Sequence, residues 1–147
     1  MRTSAAKVIA KEIEEWLRQF AKAYSRKDLD AVMDMLDSDR PLLVLGSGPD
    51  EKRFTASQLK KGFQRDFSQA DEIAMGFKWI KIDTQGDVAW FASELKVAVT
   101  VCRQKTVYPY RFTGVLVKGK RAWRLCMGQM GLVAADQSAG KSWPSAK

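Results

Sequence analysis

The hydrophobic period of this chain changes once, near residue 72, and that change restricts the possible folds more than any other feature. Upstream, apolar residues recur at the three- and four-residue spacing of amphipathic helices, and downstream they follow the two-residue period of strands. Helices grouped before a run of hairpin strands predict an α+β fold with an antiparallel sheet. The alternating strand–helix pattern of a doubly wound parallel sheet is missing, so that fold is disfavoured.

Three helices and one short strand are predicted upstream of this change. The apolar stripe of the first helix comprises Val8, Ile9, Ile13, Trp16, Leu17, Phe20 and Tyr24. The second helix covers Leu29–Leu36 behind the N-cap Asp28, and the third begins with the capping box Thr55-Ala56-Ser57-Gln58. Leu42–Leu45 is a continuous apolar run, which predicts a strand buried on both faces.

Four long strands are predicted downstream. They run from about residue 72 to the turn at 85–87, then over Val88–Val101, Thr106–Val117 and Ala122–Val133. Residues 1–133 are therefore expected to form one domain, and the small, polar segment 134–147 is expected to be a flexible tail.

Several classes of chemistry are excluded by composition. The 147 residues include no histidine, so serine–histidine and cysteine–histidine catalysis are impossible within this chain. No cluster of Cys, Asp and Glu has metal-site spacing, so no metal is expected. Gly46-Ser47-Gly48 lacks the third glycine of a dinucleotide fingerprint, because Glu51 stands at that position, and no cofactor is predicted.

The location expected for the chain is the cytoplasm. Cys102 and Cys126 are too few for a disulfide framework, and both are predicted to be reduced residues in strands. The N-terminal residues lack the apolar core of a signal peptide, and no apolar run approaches the ~20 residues of a membrane span.

The positive charge is confined to one half of the sequence. The net charge is +8; residues 1–74 carry 13 basic and 13 acidic side chains, whereas residues 75–147 carry 12 and 4. The excess therefore belongs to the strands and the tail. It predicts a positively biased sheet face or cavity mouth that favours an acidic ligand or partner, or a plain solvated surface without one.

Two charged residues, Glu94 and Arg111, lie in the middle of predicted strands. An unpaired buried charge is costly, so they either form a structural ion pair or lie on an exposed sheet face, or they are polar groups that line a pocket. Asp66 follows Phe63 by three residues on the third helix and could face the same cavity. One face of the last strand, Trp123, Leu125, Met127 and Gln129, is either plain core or the wall of an apolar pocket.

Four segments together resemble a known family. They are the aromatic first helix with the short helix behind it, the strand and loop Leu42–Glu51, the segment Gly86–Phe91, and the segments Tyr110–Leu116 and Trp123–Gly131. In this order and spacing they resemble the nuclear transport factor 2-like superfamily, in particular its SnoaL-like, polyketide-cyclase-like branch.

The resemblance implies a cone in which a curved antiparallel sheet wraps around the long first helix and holds an internal pocket. Members often dimerise through the outer sheet face, and they include isomerases, dehydratases and cyclases as well as non-enzymatic association domains, so the fold does not decide the function. Similar proteins often carry a histidine near the end of the last strand. Here Gln129 and Gly131 stand at those positions, and neither can titrate.

The leading hypothesis is a dimeric domain that binds a small, largely apolar or acidic molecule. Asp66 or Glu94 would be the base of a proton transfer beside a carbonyl, and Arg111 would anchor an acidic or carbonyl oxygen. The expected pocket lining comprises Trp16, Phe20, Tyr24, Leu43, Phe63, Trp90, Arg111, Thr113, Trp123 and Gln129. A non-enzymatic association domain is the alternative. Nucleic-acid binding is disfavoured, because no recognised motif is present, and membrane binding is not expected.

Overall fold

The computed structural model describes residues 3–146, in which three helices precede or interrupt one six-stranded sheet. The helices are α1 (Ser4–Ser25), α2 (Leu29–Asp34) and α3 (Ala56–Ser68). The strands are β1 (Leu43–Leu45), β2 (Lys52–Arg53), β3 (Glu72–Gln85), β4 (Val88–Val101), β5 (Gln104–Lys118) and β6 (Trp123–Leu132). The sheet is curved and unclosed, with the order β2-β1-β6-β5-β4-β3. The predicted α+β cone is confirmed.

Helix α1 occupies the concave side of the sheet. The hydroxyl of Thr3 caps it by accepting a hydrogen bond from the Ala6 N–H. Its predicted stripe is buried from Ile13 to Phe20, with Ile13 and Leu17 fully inaccessible, whereas Val8 is exposed; Phe20 lies 5.6 Å from Phe112 of β5. Apolar burial of this single face supplies the main attraction between helix and sheet.

Helix α3 begins at the predicted capping box. The Thr55 hydroxyl accepts a hydrogen bond from the Gln58 N–H, as expected. The Gln58 side chain instead accepts one from the Phe54 N–H at 2.7 Å, one residue earlier than in the usual reciprocal box. Helix α2 ends at Asp34, before the predicted Leu36, because Leu36 forms an isolated bridge with Leu125 of β6.

Strand β1 does not have the predicted burial on both faces. It pairs in parallel with β6 and antiparallel with the two-residue β2. Leu43 and Leu45 are 51% and 39% exposed, whereas Leu42, just before the strand, is fully buried. The apolar run therefore supplies one core residue and a sheet strand with apolar residues exposed to solvent.

A β-bulge at Cys126 changes the face that β6 presents to the core. Leu116 of β5 is opposite Leu125 and Val115 is opposite Met127, so Cys126 has no opposite residue. Trp123 and Leu125 point inward before the bulge, and Gly128 and Met130 line the interior after it. The prediction that Trp123, Leu125, Met127 and Gln129 share one face is therefore wrong, because one extra residue inverts the alternation.

The prediction that both cysteines lie in strands holds for Cys126 alone. Cys102 and Arg103 form the two-residue turn between β4 and β5, where both have positive φ (50° and 68°). Both cysteines are free thiols, Cys102 being exposed. No helix in residues 3–146 is long and apolar enough to cross a membrane. The proposed division at residue 133 stays a prediction, and its residues 1, 2 and 147 lie outside the described part.

Candidate functional site

A cavity of about 190 Å³ lies between α1, α3, the β1–β2 hairpin and the concave face of β3–β6. A single water molecule needs only about 10–15 Å³, so the space suits a small organic molecule. Most of its surface is apolar. The walls include Phe20, Leu59, Phe63, Val97, Phe112 and Met130.

Tyr24 of α1 and Asp66 of α3 bring a titratable pair to this apolar wall. The Tyr24 hydroxyl donates a hydrogen bond of 2.8 Å to Oδ2 of Asp66. Phe63 and Phe67 pack edge-on against the Tyr24 ring, with centroids 6.2 and 5.1 Å away. The i, i+3 and i+4 spacing of these residues on α3 places the two rings and the carboxyl group on one helix face.

Burial changes the acidity of both groups. Burial raises the pKa of Asp66 above its ordinary value, an effect that the hydrogen bond from Tyr24 opposes and the nearby Glu51 reinforces. The pKa of Tyr24 is also raised far above its ordinary range, mainly by burial and in second place by the charge of Asp66. Tyr24 therefore stays a neutral donor, while burial makes the Asp66 carboxyl group hold its proton more tightly than an exposed aspartate does.

An ionic cluster from the β1–β2 hairpin and α3 borders the cavity. Arg65 meets Oδ2 of Asp50 at 2.6 Å, and this pairing lowers the pKa of Asp50 and raises that of Arg65. Oε1 of Glu51 lies 3.6 Å from both Arg65 and Arg53, and its Oε2 accepts a hydrogen bond from the Gly48 N–H. Asp50 is mostly exposed, so its ion pair contributes little to stability.

Four of the predicted site residues are brought together at the cavity: Phe20, Tyr24, Phe63 and Asp66. Two other predicted lining residues are buried elsewhere. Trp16 stacks on Phe20, with centroids 5.6 Å apart, and does not line the cavity. The Nε1–H of Trp123 donates a 2.7 Å hydrogen bond to Glu12, which fixes that ring against α1. Both are core residues, so their assignment to the pocket is corrected.

The remaining predicted residues lie on the convex face of the sheet. Arg111 and Glu94 form an ion pair there, with Nε and Oε1 3.4 Å apart, so neither faces the cavity. Trp90 is 41% exposed because its neighbours Ala89 and Phe91 take the inward positions. The other three, Leu43, Thr113 and Gln129, are also exposed, Gln129 as a result of the bulge. Glu94 and Arg111 thus agree with the expectation of an ion pair or an exposed sheet face rather than with that of a pocket lining.

Five polar residues at the cavity were missed: Ser47, Glu51, Arg53, Tyr108 and Tyr110. The two tyrosines and Phe112 are spaced two residues apart on β5, and this period of two could have placed their side chains on one face. Glu51 ends the predicted loop, and Arg53 lies just after it, outside any predicted helix or strand. The one available signal was Gly62 in the middle of a helix, where glycine is unfavourable unless something packs against it.

The basic residues of β3–β6 do not line this cavity. Lys81, Lys96 and Arg111 are exposed on β3, β4 and β5 and lie on the convex sheet face. The cavity's own cation, Arg53, comes from the half of the sequence with no net charge. Within residues 3–146, no group of three or more Cys, Asp and Glu side chains is placed to hold a metal ion.

The sequence of residues 13–134 matches the model of the SnoaL-like domain. The chain belongs to the SnoaL-like family. The match starts inside α1 and ends just beyond β6, so it includes every element that borders the cavity. No curated protein matches the chain at a significant level.

Solved structures confirm the fold of this SnoaL-like chain at low sequence identity. A candidate dehydratase of the nuclear transport factor 2-like family from Streptomyces avermitilis is 12% identical, with a TM-score of 0.80 over 88% of this chain and 99% of its own. A candidate scytalone dehydratase from Novosphingobium aromaticivorans is 13% identical, with a TM-score of 0.78 over 95% of each chain. A candidate calcium/calmodulin-dependent protein kinase II association domain from Xanthomonas campestris is 16% identical, with a TM-score of 0.76 over 86% of this chain and 89% of its own.

Proposed function

We propose that this SnoaL-like domain binds a small, largely apolar carbonyl compound and transfers a proton beside its carbonyl group. The observation that carries the proposal is the Tyr24–Asp66 pair, a titratable carboxyl group held at an apolar cavity with its pKa raised by burial. Two structural neighbours are named as candidate dehydratases, a class that also moves protons next to carbon–oxygen bonds.

The proposed reaction divides the work between two residues. Tyr24 engages Oδ2 of Asp66, so Oδ1 is the atom that would receive the proton from carbon. As the carbon–hydrogen bond beside the carbonyl group breaks, its electron pair is delocalised onto the carbonyl oxygen, and Asp66 becomes a neutral acid. The same acid returns the proton to carbon or to a leaving hydroxyl group. Apolar walls favour this exchange, because they keep the proton affinity of a carboxyl group high.

Deuterium exchange tests the proton transfer without a known substrate. Small cyclic ketones are incubated with the protein in D2O, and label at the carbon beside the carbonyl is followed by NMR. Native protein is expected to accelerate exchange, and Asp66→Asn is expected to lose about 100-fold or more of that acceleration. Glu94→Gln is the matched control, since this carboxylate faces away from the cavity. Equal rates in Asp66→Asn and native protein, or no acceleration with any ketone, contradict the proposal.

Binding in the cavity is tested separately. Val97 lies on the cavity wall, and its chain neighbour Ala98 points to the opposite sheet face. Val97→Phe is expected to reduce the thermal shift produced by these ketones, because the larger ring fills the space, whereas Ala98→Phe keeps it. The same shift in both variants places binding outside the cavity.

A second proposal concerns the convex face of the sheet, which we infer to be a homodimer interface. Trp90, Val115, Met127 and Leu43 are opposite one another across four adjacent strands and form an apolar row. Three of them are 41–51% exposed in one chain. Such a row is unusual on a monomer and typical of an interface. The neighbour named as an association domain supports this assembly role.

Light scattering after size exclusion tests the interface. Native protein is expected to have the mass of a dimer, twice 16.6 kDa. Trp90→Glu is expected to shift it to the monomer, because it places a charge in the apolar row. Val8→Glu is the control, as Val8 is an exposed apolar residue of α1 outside the sheet. A native monomer, or a dimer that survives Trp90→Glu, contradicts this assignment.

A further inference from the structure

Arg53 is a nearly buried cation with little to bind. Its side chain is 13% exposed and borders the cavity. A guanidinium group carries five N–H donors. Within residues 3–146 its ionic partner is Oε1 of Glu51 at 3.6 Å, which is too long for a hydrogen bond, and no other side chain or carbonyl accepts from it.

The neighbouring carboxylates are already engaged. Asp50 takes Arg65 at 2.6 Å, and the two oxygens of Glu51 are divided between Arg65, Arg53 and the Gly48 N–H. Asp66 accepts from Tyr24, and burial favours its neutral form. The acidic groups around the cavity therefore leave the guanidinium donors of Arg53 largely unmatched.

Helix α3 has a slot for this guanidinium group. Gly62 is buried in the middle of the helix, and a Cβ added there would lie 2.8 Å from Nη2 of Arg53 and closer still to Nε and Cζ. Glycine inside a helix is destabilising relative to alanine, so its presence there needs a reason. The absent side chain lets Arg53 lie flat against α3, which holds it at the cavity wall.

We propose that Arg53 is the anchor for a carboxylate on the ligand, so that the substrate class is a small, largely apolar carboxylic acid. A guanidinium group binds the two oxygens of a carboxylate with two parallel hydrogen bonds. The Gly46–Glu51 loop and β2 present Arg53 at one side of the cavity, and the aromatic walls receive the apolar body of the ligand. This inference rests on the proposed small-molecule function and adds the group that the site recognises.

The anchor assigned here replaces Arg111, which the sequence suggested for the same role. Arg111 has a carboxylate partner at 3.4 Å and a side chain that is 62% exposed on the convex face. Arg53 has the opposite properties: it is nearly buried, weakly paired and adjacent to the cavity.

Matched acids and amides test the proposal. Benzoate, cinnamate and cyclohexanecarboxylate are titrated into the protein by calorimetry at pH 7.5, each beside its neutral carboxamide. Native protein is expected to bind the acids at least about tenfold more tightly, as a charged hydrogen-bonded pair allows. Arg53→Met is expected to remove this preference and keep carboxamide binding. Arg111→Met makes the same charge change on the convex face and is expected to keep the preference.

Two further readouts separate the possible failures. Arg53→Lys keeps the charge without the planar fork, so an intermediate preference is expected, and it stands in for Arg53→Met if that variant fails to fold. Acids and amides that bind equally to native protein, or an acid preference that survives in Arg53→Met, overturn the anchor while cavity binding stands. If neither acids nor amides bind, or Val97→Phe leaves their binding unchanged, the anchor and the cavity function fail together.

Discussion

Tyr24 and Asp66, 42 residues apart in sequence, are joined by a 2.8 Å hydrogen bond that links the first helix to the third across the cavity. Secondary structure alone does not require this contact. It places a phenol and a carboxyl group where burial raises the pKa of both. The pair therefore couples the stability of the cone to the ionisation of its candidate site.

Replacing Asp66 by asparagine is expected to change how stability depends on pH. Burial raises the folded-state pKa of Asp66 above its unfolded value of about 4. The folded chain therefore binds this proton more tightly, and the stability that results is lost as pH rises through the folded pKa. Native protein should lose stability relative to Asp66→Asn between acid and neutral pH, measured by urea unfolding from pH 4 to pH 8. A native protein that instead loses stability relative to Asp66→Asn on acidification contradicts the burial of this carboxyl group.

Tyr24→Phe removes the donor and keeps the ring. The hydrogen bond from Tyr24 lowers the pKa of Asp66, so its loss should move the rising limb of the ketone-exchange profile to higher pH. Unfolding should become easier by about 1 kcal/mol, as for a typical hydrogen bond. Phe67→Leu, which alters packing beside the same ring without touching the hydroxyl, should leave the profile in place.

Gly62→Ala distinguishes the slot for Arg53 from an ordinary helix glycine. In the native background the added methyl group displaces the guanidinium, so acid preference is expected to fall with little gain in stability. In the Arg53→Met background the same change should stabilise the fold by about 0.5–1 kcal/mol, because the helix gains alanine without a clash. Calorimetric titration and urea unfolding of the four proteins measure both effects. An equal gain in stability in the two backgrounds contradicts the proposed slot for Arg53.

The β4–β5 turn should become more stable when its two residues are replaced by ones that accept positive φ. Cys102 and Arg103 both adopt positive φ, which asparagine and glycine accept at lower cost. The double change Cys102→Asn with Arg103→Gly is expected to stabilise the protein by about 1–2 kcal/mol, measured by urea unfolding. The N–H of residue 102 keeps its 2.8 Å hydrogen bond to Asp71. Cys102→Val, with a branched side chain at the same φ, is expected to act in the opposite direction.

Hydropathy patterns were sufficient to predict most of the fold. The periods of 3.6 and two residues located α1, α3 and the four long strands, because each element buries one regular face. Helical spacing placed Phe20 with Tyr24 on α1 and Phe63 with Asp66 on α3, and the family resemblance implied that both faces border one pocket.

The sheet side of the site was predicted less well, for reasons that lie in its geometry. Trp90 and Leu43 are large and apolar, yet they occupy the convex face, and nothing in a period-two pattern says which face of a strand is covered. Arg53 belongs to a two-residue strand, too short for any period. Its role depends on Gly62, a contact between segments that no local pattern reports.

The bulge at Cys126 has a consequence for comparing this chain with its relatives. Consider a relative that lacks the extra residue and is aligned without a gap. Its positions opposite Gln129 and Gly131 in the alignment would face the cavity, and the position opposite Met130 would not. Residue-by-residue alignment across this point thus compares side chains on opposite faces of the sheet. A counterpart of the histidine that the family resemblance suggests for the end of this strand is to be sought here by position in space, among the side chains that reach the same part of the cavity from other elements.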